Sequence, residues 1–241
     1  MKGYIDIHSH ILPGIDDGAR DFETSMKMLK IAEENGIEGI ILTPHHKPMR
    51  NSAGAGKVKA LIDQLDKKSR ESGMGIQLYA GNEFYYSSET VHVLEEKQAC
   101  TMAGSGYVLV EFGPMDELDY IRKGIYQMLL AGYRPILAHA ERYGSVCARA
   151  EYVEDLIAMG CYIQVNAGSI LGQFGWKEKQ EVRKLLKKEL VHFVATDAHG
   201  SQRRTPALLD CARYLEKKYG KEYTERLLHA NPMQVIADRY I

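Results

Sequence analysis

His8 and His10 stand two apart in the stretch YIDIHSH, and Asp16 and Asp17 follow in PGIDDGA. In an extended strand, residues i and i+2 point to the same face, so the two imidazoles can aim at one ion. The same pattern returns near the other end of the chain, where Asp197 and His199 form D-x-H in ATDAHG. Between these lie His45 in TPHH, Glu83 in GNEF, Glu111 in LVEF and His139 in LAHAERY, each at the end of an apolar run. A solvated rim would use Lys, Ser and Asn as freely as His and carboxylate, so the recurrence points to metal binding. Imidazole and carboxylate without thiolate suit Mn, Fe or Zn. Nine candidate ligands exceed the needs of one ion, so two or three are implied. Three divalent ions would bring a charge of +6 against −4 from Asp17, Glu83, Glu111 and Asp197. The surplus suits a bridging hydroxide and a dianionic phosphate, and hence phosphoryl transfer to water.

The elements that must position these residues are legible as alternating patterns. Seven apolar runs read as strands: YIDIHSH, GIILTPHH, IQLYAGNEF, YVLVEF, RPILAHAERY, CYIQVNAGS and HFVATDAHG. Amphipathic stretches at Phe22–Asn35, Val58–Ser72, Leu118–Ala131, Glu151–Met159 and Lys177–Lys188 read as helices, several stopping at Gly36, Gly73, Gly132 or Gly160. Such alternation predicts a parallel sheet covered by helices. Candidate ligands fall at the C-terminal side of nearly every run, as in parallel barrels, whereas an open doubly wound sheet would gather them at one switch point. The expected fold is therefore a distorted (β/α)7 TIM-like barrel, one domain over residues 1–241.

The 241 residues carry 31 Lys and Arg against 32 Asp and Glu, a formal net charge of −1. No overall basic field is available for nucleic acid or an anionic membrane. No apolar stretch is long enough to span a bilayer and no secretory signal is visible. Cys100, Cys147, Cys161 and Cys211 are widely spaced, as expected of reduced thiols in a cytoplasmic protein. NSAGAGK, residues 51–57, reads as a mobile loop.

Taken together, DIHSH, DDGA, TPHH, GNEFYY, LVEF, AHAERY, QVNAGS and ATDAHG resemble the PHP (polymerase and histidinol phosphatase) superfamily. More closely, they resemble its manganese-dependent tyrosine-protein phosphatases of Gram-positive bacteria, the CpsB/YwqE type, from the first strand to the last helix. The resemblance implies a PHP barrel with a three-ion Mn²⁺ site, Fe, Zn or Mg being alternatives. It implies one ion on His8, His10, Glu83 and Asp197, a second on Glu83, Glu111 and His139, and a third on Asp17, His45 and His199. Arg142 and Arg204 match the phosphate-binding arginines, with Arg203 a rival for Arg204 and His46 a rival for His45. The implied reaction is attack of a metal-bridging hydroxide on phosphotyrosine, in a tyrosine autokinase tail that controls capsule or exopolysaccharide synthesis. A small-molecule phosphatase of the same superfamily, such as histidinol-phosphate phosphatase, shares the chemistry and is the alternative.

A thiol route is disfavoured. Cysteine phosphatases need C-x5-R, but Gly106, Val153, Ala167 and Lys217 stand six residues after the four cysteines. Phe84, Tyr85, Tyr86, Phe112, Tyr143, Phe174 and Trp176 are candidates to receive an aromatic ring, Tyr85 and Tyr86 foremost because they follow a candidate ligand directly. Asp6 shares the face of His8 and is open to two roles, partner of an imidazole or of a nearby cation.

Overall fold

The computed structural model describes residues 3–47 and 54–241. The first run forms β1 (Tyr4–Ser9), and α1 (Phe22–Glu34) follows. Asp21 caps α1 by accepting from the Thr24 N–H at 2.8 Å, and Ser25, Met28, Leu29 and Ala32 turn its buried face inward. The second run is split into β2 (Ile37–Leu42) and β3 (His45–His46); the third into β4 (Gln77–Ala80) and β5 (Glu83–Tyr85). Pro44 lacks an N–H for the ladder, which accounts for the first break. Pairing still crosses both breaks, through Thr43 N–H to Ser9 C=O, Gly81 N–H to Leu42 C=O and Glu83 N–H to Pro44 C=O. The remaining strands are β6 (Tyr107–Glu111), β7 (Arg134–Leu137), β8 (Tyr162–Asn166) and β9 (Phe193–Ala195).

All pairings between these strands are parallel, in the orders β1-β2-β4 and β3-β5-β6-β7-β8-β9. The sheet curls until its last strand approaches its first. Asp197 N–H donates to His8 C=O at 2.9 Å and His10 N–H to Ala198 C=O at 2.8 Å. Asp6 reinforces this seam. Its carboxylate accepts from the backbone N–H of His8 and Thr196 and from the Thr196 hydroxyl, so it ties β1 to the end of β9 and serves as hydrogen-bond partner to neither an imidazole ring nor a cation. Ile7, Ile41, Tyr107, Leu109, Ile136 and Phe193, from five of these strands, meet in a fully buried cluster that fills the concave side. The larger core packs the helices on the outside.

The helices form where the amphipathic pattern puts them, at Leu118–Leu130, Ala150–Met159 and Trp176–Lys187 as well as α1. The second helix, α2 (Ala55–Glu71), starts earlier than its pattern implies. Of the loop expected over 51–57, positions 51–53 lie outside the described residues, Gly54 is the helix N-cap, and Ala55–Lys57 are its first turn.

Candidate metal centre

The DDGA turn answers why two aspartates follow two histidines. A side chain on Gly18 would start 2.0 Å from the His10 carbonyl oxygen, so only glycine lets the turn fold back on β1. That approach puts the two aspartates to different uses. Asp16 accepts from His10 Nδ1 at 2.8 Å and from the backbone N–H of Gly18 and His45. Asp17 faces the opposite way, 3.4 Å from His45 Nε2 and 3.7 Å from His199 Nε2.

Every candidate ligand comes to one place at the C-terminal ends of the strands. His8 and His10 bring their Nε2 atoms within 3.3 Å of each other. Glu83 is the hub. Its carboxylate oxygens lie 3.3 Å from His8 Nε2, 3.3 Å from His10 Nε2, 3.0 Å from His45 Nδ1 and 2.9 Å from His139 Nε2. Glu111 lies 3.1 Å from His45 Nδ1 and 3.7 Å from His139 Nε2. Asp197 Oδ1 lies 3.6 Å from both His8 and His10 and 3.4 Å from His199 Nδ1.

Among the described residues, three groups have ligand atoms close enough to share an ion: His8, His10 and Asp197; His45, Glu83 and Glu111; and His10, Asp17, His45 and His199. Two of the three bring in a further imidazole beyond the partition implied by resemblance: His45 joins Glu83 and Glu111, and His10 joins the Asp17 group. His45 Nδ1 and Glu111 Oε1 are both buried and without a hydrogen bond, although only 3.1 Å apart. Two lone-pair-bearing atoms this close, neither aligned for a hydrogen bond, are placed as ligands to a common cation would be, and the ligand set fits a divalent transition metal.

The electrostatics agree. Burial opposes charge on His10, but hydrogen bonds to Asp16 and Glu83 outweigh it and raise its pKa to about 10. Burial likewise opposes charge on His45, and Glu111 and Glu83 raise it to about 9. The carboxyls respond in kind: against burial, His8 and the surrounding imidazoles hold Glu83 and Asp197 well below the usual carboxylate range. Protons on these imidazoles and a metal ion compete for the same carboxylates. His199 is the exception. Burial and the neighbouring His10 charge push it down to about 3, which leaves it neutral and ready to ligate.

At the edge of this cluster, Arg142 and Arg204 converge on a single oxygen, Asp197 Oδ2, at 2.8 and 2.7 Å. Both guanidiniums also lie over the Phe174 ring, 5.8 and 5.9 Å from its centroid. Arg203 is exposed and takes no part in this convergence. His46 stacks on Phe84 at 5.3 Å instead of entering the cluster. Tyr85 stands on the rim, whereas Tyr86 is buried against Phe112 and Tyr120. Trp176 is exposed.

Several residues of the site escape a search for ligand types. Gln164 on β8 accepts from the His139 backbone N–H at 2.9 Å, lies 3.1 Å from His8 Nδ1, and donates to Asn166 at 2.9 Å. Asn166 donates in turn to Asp197 Oδ2 at 2.9 Å. Tyr143 OH lies 3.3 Å from His139 Nδ1 and accepts from the Phe112 N–H. For Gln164 and Asn166 the one visible signal is Q-x-N, two amides on one face of an otherwise apolar strand, whereas Tyr143 stood only among the aromatic candidates. His139, Asp197 and Arg204 also share left-handed backbone, with φ of 35°, 51° and 48°. Non-glycine residues adopt it at a cost of roughly 1–3 kcal/mol, and such strain gathers at functional sites.

The profile of the capsular polysaccharide synthesis family, CpsB/CapC, matches residues 4–237. The chain belongs to the CpsB/CapC family. Among CpsB/CapC relatives, the tyrosine-protein phosphatase CpsB of Streptococcus pneumoniae is 32% identical over 242 residues, spanning 98% of this chain and 100% of its own. The tyrosine-protein phosphatase YwqE of Bacillus subtilis (strain 168) is 34% identical over 219 residues, spanning 90% of this chain and 86% of its own. Crystal structures of B. subtilis YwqE and S. pneumoniae CpsB, described as unique metal-dependent tyrosine phosphatases, match this CpsB/CapC member with a TM-score of 0.92 at 32% identity, over 98% of this chain and 96% of theirs. Histidinol phosphate phosphatase of Lactococcus lactis has a TM-score of 0.59 at 14% identity, which is a likeness of fold alone.

Proposed function

We propose that this CpsB/CapC member is a metal-dependent tyrosine-protein phosphatase of capsule or exopolysaccharide synthesis. Its substrate is a tyrosine-phosphorylated protein, the tail of a bacterial tyrosine autokinase, and its metal is Mn²⁺ in a three-ion site. The protein acts in the cytoplasm as one domain over residues 1–241. Counting β2 with β3 and β4 with β5 as single interrupted strands gives the seven of a distorted (β/α)7 barrel. His8, His10, Asp17, His45, Glu83, Glu111, His139, Asp197 and His199 would hold the metal, with Glu83, whose carboxylate faces four imidazoles, at the middle of the set.

The observation that carries this reading is the pair of guanidiniums meeting at Asp197 Oδ2, on the edge of the ligand cluster. A pair of guanidiniums beside a candidate metal centre suits a phosphoryl group. Bound divalent ions supply neutralisation of phosphate charge and lower the pKa of water toward neutrality. The chain supplies the rest. Arg142 and Arg204 bind the equatorial oxygens and turn the phosphorus toward the centre. Phe174 limits the swing of both side chains. Tyr143 fixes the His139 ring, and Asp16 the His10 ring, so neither has to be ordered when substrate arrives. A phenol leaves with a pKa of about 10, so a strong general acid is dispensable. The four cysteines are buried, and burial pushes Cys147 and Cys161 up to about 12, so none offers a thiolate.

Chelator-stripped protein is expected to lose phosphotyrosine-peptide hydrolysis and to regain it with Mn²⁺ better than with Mg²⁺, which prefers oxygen ligands and keeps its waters. Full activity in protein shown metal-free by elemental analysis rejects the metal-dependent reading. Faster turnover of histidinol phosphate than of phosphotyrosine peptide rejects the substrate.

A further inference from the structure

The metal centre opens on one side into a groove of about 510 Å³, lined by Gly18, Arg20, Lys27, His199, Arg203 and Arg204 among others. Among the described residues its lining contains four cations and neither Asp nor Glu, in a chain whose net charge is −1. Two of the lining residues, His199 and Arg204, belong to the centre itself, so the groove is continuous with the place where a phosphoryl group sits. We propose that this groove binds an anionic side chain carried by the peptide beside the scissile phosphotyrosine, and so selects acidic phosphopeptides. The inference rests on the phosphatase reading and adds a preference to it.

The charges are available for such a partner. Arg203 is exposed and makes no ion pair with any described residue. Arg20 pairs with its neighbour Asp21 at 3.1 Å, and Lys27 with Glu23 one turn earlier at 2.6 Å, but the two cations are 86% and 60% exposed. Ion pairs this exposed are worth little and exchange readily for another anion. Arg20 follows the DDGA turn and Lys27 lies on α1, so the backbone that places Asp17 also fixes the near wall of the groove. A peptide whose phosphate is held by Arg142 and Arg204 must leave the centre over its rim, and here the rim attracts anions. The recognised chemistry is a carboxylate or a second phosphate, two sources with the same charge requirement.

Three peptides of equal length separate the possibilities. Each carries one phosphotyrosine, flanked by alanines, by glutamates, or by the non-hydrolysable phosphonate analogue of phosphotyrosine. With Mn²⁺-loaded enzyme at low salt, kcat/KM is expected to be about two- to fivefold higher for an anionic flank than for alanine, within the range of an exposed ion pair. The preference should shrink at high salt. It should vanish in the triple variant Arg20→Gln, Lys27→Gln, Arg203→Gln, whose melting temperature tests that the fold survives. Whichever anionic peptide gains more identifies the source. Equal rates on all three peptides, or a preference that persists in the folded triple variant, overturn the groove and leave the phosphatase reading intact. No hydrolysis of the alanine-flanked peptide by loaded enzyme overturns the phosphatase reading, and the groove with it.

Discussion

Replacing Gln164 with leucine changes little volume but removes three hydrogen bonds from the floor of the metal centre: to His139 N–H, to His8 Nδ1 and to Asn166. The first consequence is for metal. His8 is held with Nε2 toward the cluster because Nδ1 has the Gln164 oxygen as its partner. Losing the orienting partner of a ligating histidine typically lowers metal affinity 10- to 100-fold, or about 1.4–2.7 kcal/mol. The second consequence is for the fold. Gln164, His8 and His139 are all buried, so two donors lose their acceptor where water does not reach, at about 1–3 kcal/mol each. For a chain of this size each kcal/mol lowers the melting temperature by about 2–4 °C. The assay is competition against a fluorescent chelator at fixed pH, with melts of the stripped protein alongside. Gln164→Glu keeps both acceptor contacts and should hold metal more tightly than Gln164→Leu. Metal affinity in Gln164→Leu equal to that of the wild type refutes the claim that Gln164 orients His8.

Arg204→Ala removes a charge-assisted bond to phosphate and is expected to raise KM for every phosphotyrosine substrate by roughly 10-fold or more, while Arg203→Ala should do so only where the flank is acidic; steady-state kinetics on alanine-flanked peptide decide it. Converting all four buried cysteines to serine or alanine should leave kcat unchanged apart from mild destabilisation, and no phosphocysteine should be trapped by rapid quench. His192 accepts from the Ile163 N–H, and burial pushes its pKa down to about 4, so the unfolded chain, at about 6.5, binds the extra proton between those values. Stability should therefore be present above pH 6.5 and fall by about 3 kcal/mol as pH drops to 4, and His192→Asn should flatten that slope in thermal melts.

The sequence carried most of the architecture because a parallel strand and an amphipathic helix have distinct apolar periods. Helix limits at Phe22, Leu118 and Met159 were legible in the chain itself. Pro44 marked the break between β2 and β3, but nothing so direct marked the break between β4 and β5, where Asn82 donates to the Pro44 carbonyl across the sheet. At the site, the histidines and carboxylates announced themselves by chemical type and position. Gln164 and Asn166 did not, because their contribution is contact: an amide orients an imidazole only when the closed sheet turns β8 toward β1 and pairs it with β7. Asp6 illustrates the reverse. Its place in sequence left it open between an imidazole and a cation, yet its oxygens accept from the His8 N–H beside it and from Thr196, which only the closing of the sheet brings near. The rivalry of His45 with His46 was likewise decided by packing, since Phe84 takes the second ring.

The left-handed backbone at His139 and Asp197 bears on how an inert, substrate-holding form of the protein is best made. The usual choice is alanine, which avoids that conformation and would pull the chain toward ordinary dihedrals. At position 197 such a shift would carry with it the turn that delivers His199 and Arg204, because His199 N–H bonds to the Arg204 carbonyl. The Arg142–Arg204 pair would then move along with the lost carboxylate, and a variant meant to retain substrate through that pair would release it. Asparagine is at home in left-handed geometry and keeps an oxygen for Arg142 and Arg204. Asp197→Asn thus separates the two duties proposed for one side chain, giving up negative charge within the ligand cluster while leaving Arg142 and Arg204 in place.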